Sequence, residues 1–179
     1  MAIMLLLGAF FTTFARAEEA RLTDIVATND GDYLRVYFSV TDCFTDEMKK
    51  AIENGINITF TFLVTFHEIR NFKRDREIAD IKVSHGVVYD NLKKIYKVSR
   101  SESDNTVIVE DFQQAKDLMS KIVGLKIAKL RELRRGGNYQ IGMMAELDKI
   151  RLPLHLHYVF FFLSLWDFET EWHTINLRY

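Results

Sequence analysis

One cysteine, one proline and eight glycines in 179 residues leave several kinds of protein out of account. A single thiol, Cys43, has no internal partner, so stability has to come from packing even in an oxidising compartment. Proline and glycine are too sparse for a flexible linker, and neither an internal repeat nor a low-complexity stretch divides the chain. Charge of one sign is also lacking. Twenty-four Lys and Arg face 25 Asp and Glu, a net charge of -1, which argues against a nucleic-acid binder. GxSxG, a phosphate-binding glycine loop, a dinucleotide fingerprint, CxxC and HExxH are all missing. Their absence lowers the expectation of an enzyme without removing it, and no cofactor is implied.

What the chain has is phenylalanine, fourteen of them, and a distinctive start. Ile3 to Leu7 with Ala9, Phe10 and Phe11 make an apolar core, followed by Ala15-Arg16-Ala17. Such a core, followed by small side chains two positions apart, reads as a secretory signal peptide cleaved after Ala17. It is shorter than the roughly 20 residues that span a bilayer. No Lys or Arg precedes the core, so an uncleaved anchor and a buried N-terminal helix stay as alternatives. No cysteine follows the core, which argues against a lipid anchor. The expected organisation is a signal-peptide helix over residues 1–17 and one β-rich domain over 18–179. Loss of Arg16 with the leader takes the net charge from -1 to -2. The expected location is the periplasm, or the membrane if the leader is retained. No spanning segment is expected after cleavage.

The local signals are mostly those of strands. Asn29-Asp30-Gly31-Asp32 is a turn between runs at Arg21–Thr28 and Tyr33–Val40. Thr45 caps a short helix with Asp46 and Glu47 in its first turn, Met48, Ala51 and Ile52 on its apolar face and Gly55 at its end. Ile56, Ile58, Phe60, Phe62, Val64 and Phe66 then alternate with mostly polar residues, the mark of a half-buried antiparallel strand. Further strands are expected at 78–89, 95–100, 106–109, 139–150 and 174–179. A second helix is expected over 111–123, striped by Phe112, Ala115, Leu118, Met119 and Ile122 and closed by Gly124. Residues 130–135 read as one more helical turn. The expected fold is α+β and mainly antiparallel: a sandwich-like arrangement of roughly seven to nine strands with two short helices.

Three stretches together carry a resemblance: Phe44-Thr45-Asp46-Glu47-Met48; Ile78-Ala79-Asp80 with Tyr89-Asp90-Asn91-Leu92; and Leu152-Pro153 through His157-Tyr158 to Ser164-Leu165-Trp166-Asp167-Phe168-Glu169-Thr170 and Trp172. The chain resembles an exported bacterial family of uncharacterised proteins, domain of unknown function DUF4390, over essentially all of its mature length. The resemblance implies export into a Gram-negative envelope. It brings no activity, cofactor or catalytic residue.

Each candidate for chemistry has a plainer reading beside it. Cys43 precedes a helix N-terminus, which favours a thiolate, yet a small buried side chain at a strand end is the better expectation. His155 and His157 would share a strand face, but zinc needs three or four ligands and no others stand at diagnostic spacing. Arg70, Lys73, Arg74 and Arg76 surround Phe72 in one loop, fit either for anionic headgroups or an acidic partner, or simply for solvent. Arg131, Arg134 and Arg135 form a smaller patch. Phe160, Phe161 and Phe162 make the most apolar run after the leader, a core strand or a contact surface. Trp166 and Trp172 form an aromatic corner with Asp167 and Glu169, which serve better as indole acceptors than as a catalytic pair. The function expected from this is a non-catalytic envelope domain that binds another protein. A carrier or sensor of a hydrophobic ligand such as lipid is the alternative, and an envelope hydrolase comes third.

Overall fold

The alternation that begins at Ile58 organises the whole fold. In a strand, successive side chains point to opposite faces, so Ile58, Phe60, Phe62, Val64 and Phe66 form one continuous buried face. A computed structural model describes residues 20–103, 105–148 and 168–179. Among them nine strands form two antiparallel sheets: β1 (Arg21–Asn29), β2 (Tyr33–Thr41), β3 (Ile58–Ile69), β4 (Arg76–Asp90), β5 (Ile95–Arg100), β6 (Asn105–Val109), β7 (Lys121–Lys129), β8 (Asn138–Leu147) and β9 (His173–Arg178). The larger sheet has the order β6-β5-β4-β3-β8-β9 and the smaller β1-β2-β7. Helices α1 (Asp46–Glu53) and α2 (Phe112–Ser120) complete the α+β sandwich.

The two sheets meet through phenylalanine. Val36, Phe38 and Val40 of β2 are buried, and the Phe38 and Phe62 rings meet edge to face at 5.9 Å. Phe44, between β2 and α1, packs on Phe60 at 4.9 Å and on Phe112 of α2 at 5.7 Å. Helix α1 starts as its residues predict: the Thr45 hydroxyl accepts from the Met48 N–H at 3.2 Å, and Met48, Ala51 and Ile52 are buried. Gly55 follows with φ +88°, the left-handed conformation glycine adopts without strain.

Two expectations need correction. Helix α2 ends at Ser120, and residues 121–129 are the strand β7, paired antiparallel with β2. Ile122 belongs to that strand, and Gly124 does not cap the helix: it sits inside β7 at φ +68°, where the β2 register slips. The last central strand, expected to reach residue 150, ends at Leu147. The helical turn at 130–135 is a turn of 3-10 helix over Leu130–Glu132.

Candidate basic rim

The end of β3 carries a buried carboxylate ringed by arginines. Glu68 falls on the buried face, in phase with Phe60, Phe62, Val64 and Phe66, and its side chain is only 4% exposed. A carboxylate in that position is costly unless it is paired. Glu68 Oε2 accepts from Arg70 at 2.9 Å and from Arg76 Nε at 3.0 Å, and Oε1 lies 3.2 Å from Arg134. The Arg70 hydrogen bonds hold the Glu68 pKa below the usual carboxylate range, against the opposing effect of burial.

The surrounding backbone is shaped to bring these groups together. Asp75 accepts from the Arg70 N–H at 2.9 Å and ties the 70–75 loop to itself. The Tyr139 ring is fully buried and stacks on Phe66 at 5.4 Å. Its hydroxyl accepts from the Arg134 N–H at 2.7 Å and donates to the Arg134 carbonyl at 3.3 Å. At Gly137 a Cβ would come within 2.8 Å of that ring and 2.9 Å of the Arg134 carbonyl, so the bend admits no side chain there. Arg134 is thus delivered to Glu68 by its backbone.

One carboxylate thereby holds three guanidiniums, and each guanidinium keeps N–H donors to spare. Beside them runs an open groove of about 590 Å³ lined by Ile69, Arg70, Phe72, Lys73, Arg134 and neighbouring polar residues. No acidic side chain lines it among the described residues. Phe72 stands at the loop tip, 99% exposed, between Asn71 and the exposed Lys73 and Arg74. The chain enters the described fold at Ala20, beside the Arg21–Thr41 pairing at the other end of the sandwich.

The rim unites two basic clusters that stand apart in sequence, the Arg70–Arg76 loop and Arg134. Glu68, the residue that joins them, was not singled out beforehand. Its signal was legible: it extends the apolar alternation of β3 by one more step and stands two positions before Arg70. Trp172 lies elsewhere, half-exposed on the opposite face of the larger sheet, where a Cβ at Gly142 would meet its ring at 3.3 Å. His155, His157, Phe160, Phe161, Phe162 and Trp166, like the leader, lie outside the described residues.

The chain matches a domain of unknown function over residues 17–176. It belongs to the DUF4390 family. No curated protein and no solved structure matches it. Membership covers the rim, the core and both helices, and assigns none of them an activity.

Cys43 takes the plainer reading. Cys43 is 3% exposed, its thiol lies 3.4 Å from the Val40 carbonyl, and burial pushes its pKa up to about 12. A thiol held protonated is a poor nucleophile. Native protein should therefore resist iodoacetamide at neutral pH, and unfolded protein should react quantitatively, as mass spectrometry would show; rapid native labelling would contradict the burial. His85 is fully buried, with Nδ1 3.0 Å from the Met119 carbonyl and Nε2 3.0 Å from Glu102. Burial lowers its pKa, opposed by the Glu102 charge. It ties β4 to the end of α2 and to the turn after β5. Among the described residues no group of His, Cys, Asp and Glu is placed to hold a metal ion, and no helix is long and apolar enough to cross a membrane.

Proposed function

We propose that this DUF4390 chain is an exported, non-catalytic domain of the cell envelope that works by docking onto another envelope component through its basic rim. The observation that carries the reading is the combination at one end of the sandwich: three arginines organised on the buried Glu68, an open groove, and a fully exposed Phe72. A large apolar side chain held out into water among cations gains nothing for the fold, and aromatic and arginine side chains are the residue types that anchor interfaces. The leader at Met1–Ala17 supports export. Of the two binding readings, surface docking is better supported than enclosure of an apolar ligand, because the phenylalanines of β3 already have ring partners within the fold: Phe62 packs on Phe38 of β2, Phe60 on Phe44 and Phe168, and Phe66 on Tyr139.

The test is a photo-crosslinking amino acid placed at Phe72, compared with one at Leu92. Leu92 is 96% exposed at the β4–β5 turn, the far end of the 15-residue β4. Crosslinks should form in the envelope fraction from position 72 and not from position 92. Equal labelling at both, or a chain recovered in the cytoplasm, would overturn the proposal.

A further inference from the structure

We infer that the surface which the rim docks onto is an anionic phospholipid bilayer, with Phe72 entering the headgroup region and Arg70, Lys73, Arg74, Arg76 and Arg134 meeting the phosphates; this rests on the docking reading above.

The charge is local. These five cations stand with three carboxylates, Glu68, Asp75 and Glu77, in a chain whose net charge is -1. Glu68 is engaged by three guanidiniums and Asp75 by the Arg70 N–H, while Glu77 is exposed next to Arg76. Five cations against three carboxylates leave the rim net positive. Phosphate suits this arrangement because guanidinium N–H groups meet its oxygens in pairs, and the arginines are already held in place. The tip points the same way. Aromatic side chains settle at the headgroup level of a bilayer, while Arg and Lys stems lie along the apolar boundary and keep their charges at the phosphates. A single ring at a narrow loop tip enters a deformable surface readily. A protein partner would need a pocket matched to that ring. The lining of the groove is polar and basic around one side of Phe72, so a bilayer could be met by ring and cations together.

Surface charge of this kind contributes per residue and is screened by salt. The exported form should co-sediment with vesicles containing phosphatidylglycerol and not with vesicles of phosphatidylcholine alone. Binding should weaken as salt rises from low to physiological strength. Lys73→Glu with Arg74→Glu should lower partitioning about tenfold or more. Both residues are exposed loop positions, so the fold should survive, as circular dichroism would confirm. Phe72→Trp supplies a reporter when the emission of the native chain, which comes from Trp166 and Trp172, is subtracted: the difference should shift to the blue on anionic vesicles and stay unshifted on neutral ones. Equal binding to both vesicle types, or binding unchanged by the charge reversal, would overturn the inference. No vesicle binding together with a discrete protein crosslink from position 72 would also overturn it while leaving the docking proposal standing. If neither vesicles nor crosslinks are seen, both fall.

Discussion

Glu68→Gln should cost about 2 kcal/mol of stability at neutral pH, a large loss for a change of one atom type. The substituted side chain has the same size but turns an amide toward three guanidiniums that meet a carboxylate at 2.9–3.2 Å in the native protein. Breaking a fully buried ion pair costs about 3–5 kcal/mol. The expectation here is smaller because the partners are 33–70% exposed and water screens them. The pH dependence identifies the cause. Arg70 depresses the folded pKa of Glu68, so its contribution is fully present above the unfolded value of about 4.3 and is lost as pH falls through the folded pKa. The stability gap between native protein and variant should therefore be widest at neutral pH and close in acid. Urea unfolding at neutral pH and at successive points below about pH 4.5 measures it. A gap that stays constant down to the lowest pH would show that shape, not charge, holds the rim.

Phe62→Ala should be the more damaging change, lowering stability by about 3–5 kcal/mol. Phe62 is completely buried and stands where the layers meet, edge to face with Phe38 of the smaller sheet and 4.8 Å from the His85 ring. Removing it leaves a void between sheets that cannot easily close, because β3 is fixed on both sides by β4 and β8. Total stabilities of domains are about 5–15 kcal/mol, so this single change takes a large share. The same substitution ten residues later, Phe72→Ala, should leave stability within about 0.5 kcal/mol, since that ring touches nothing in the fold. Guanidinium or thermal unfolding of the pair makes the comparison. A marked loss at position 72 would mean that the exposed ring packs on the fold after all.

The two phenylalanines also show what local pattern conveys. Phe62 sits in strict alternation with Phe60, Val64 and Phe66, and a period of two places it on a buried face with no further information. Phe72 sits in a charged loop without a period, and its exposure follows from composition. The helix start at Thr45, the turn at Asn29–Asp32 and the returning strand after Arg76 are similarly local. Strand β7 was not legible, for a definite reason. The slip at Gly124 leaves Ile122, Leu125 and Ile127 inward, and the first of these continues the helical spacing of Ala115 and Met119. A bulge imitates a helical period over a few residues, and only pairing with β2 removes the ambiguity.

The rim divides the same way. The amino-acid sequence by itself determined that basic residues cluster near Phe72 and again near Arg134, and that the core is built from phenylalanine rather than disulfides. Periodicity and composition act over a few residues, so these features need no partner. Tertiary structure alone decided that both basic clusters converge on one carboxylate. Arg70 and Arg134 meet because β3 pairs with β8, with Ile69 opposite Asn138, and because Tyr139 and Gly137 bend the preceding chain back. The attraction between such groups falls with distance through space, not along the chain. Before the sheet forms, Glu68 is one acidic residue two positions from an arginine; afterwards it is the buried centre of the rim.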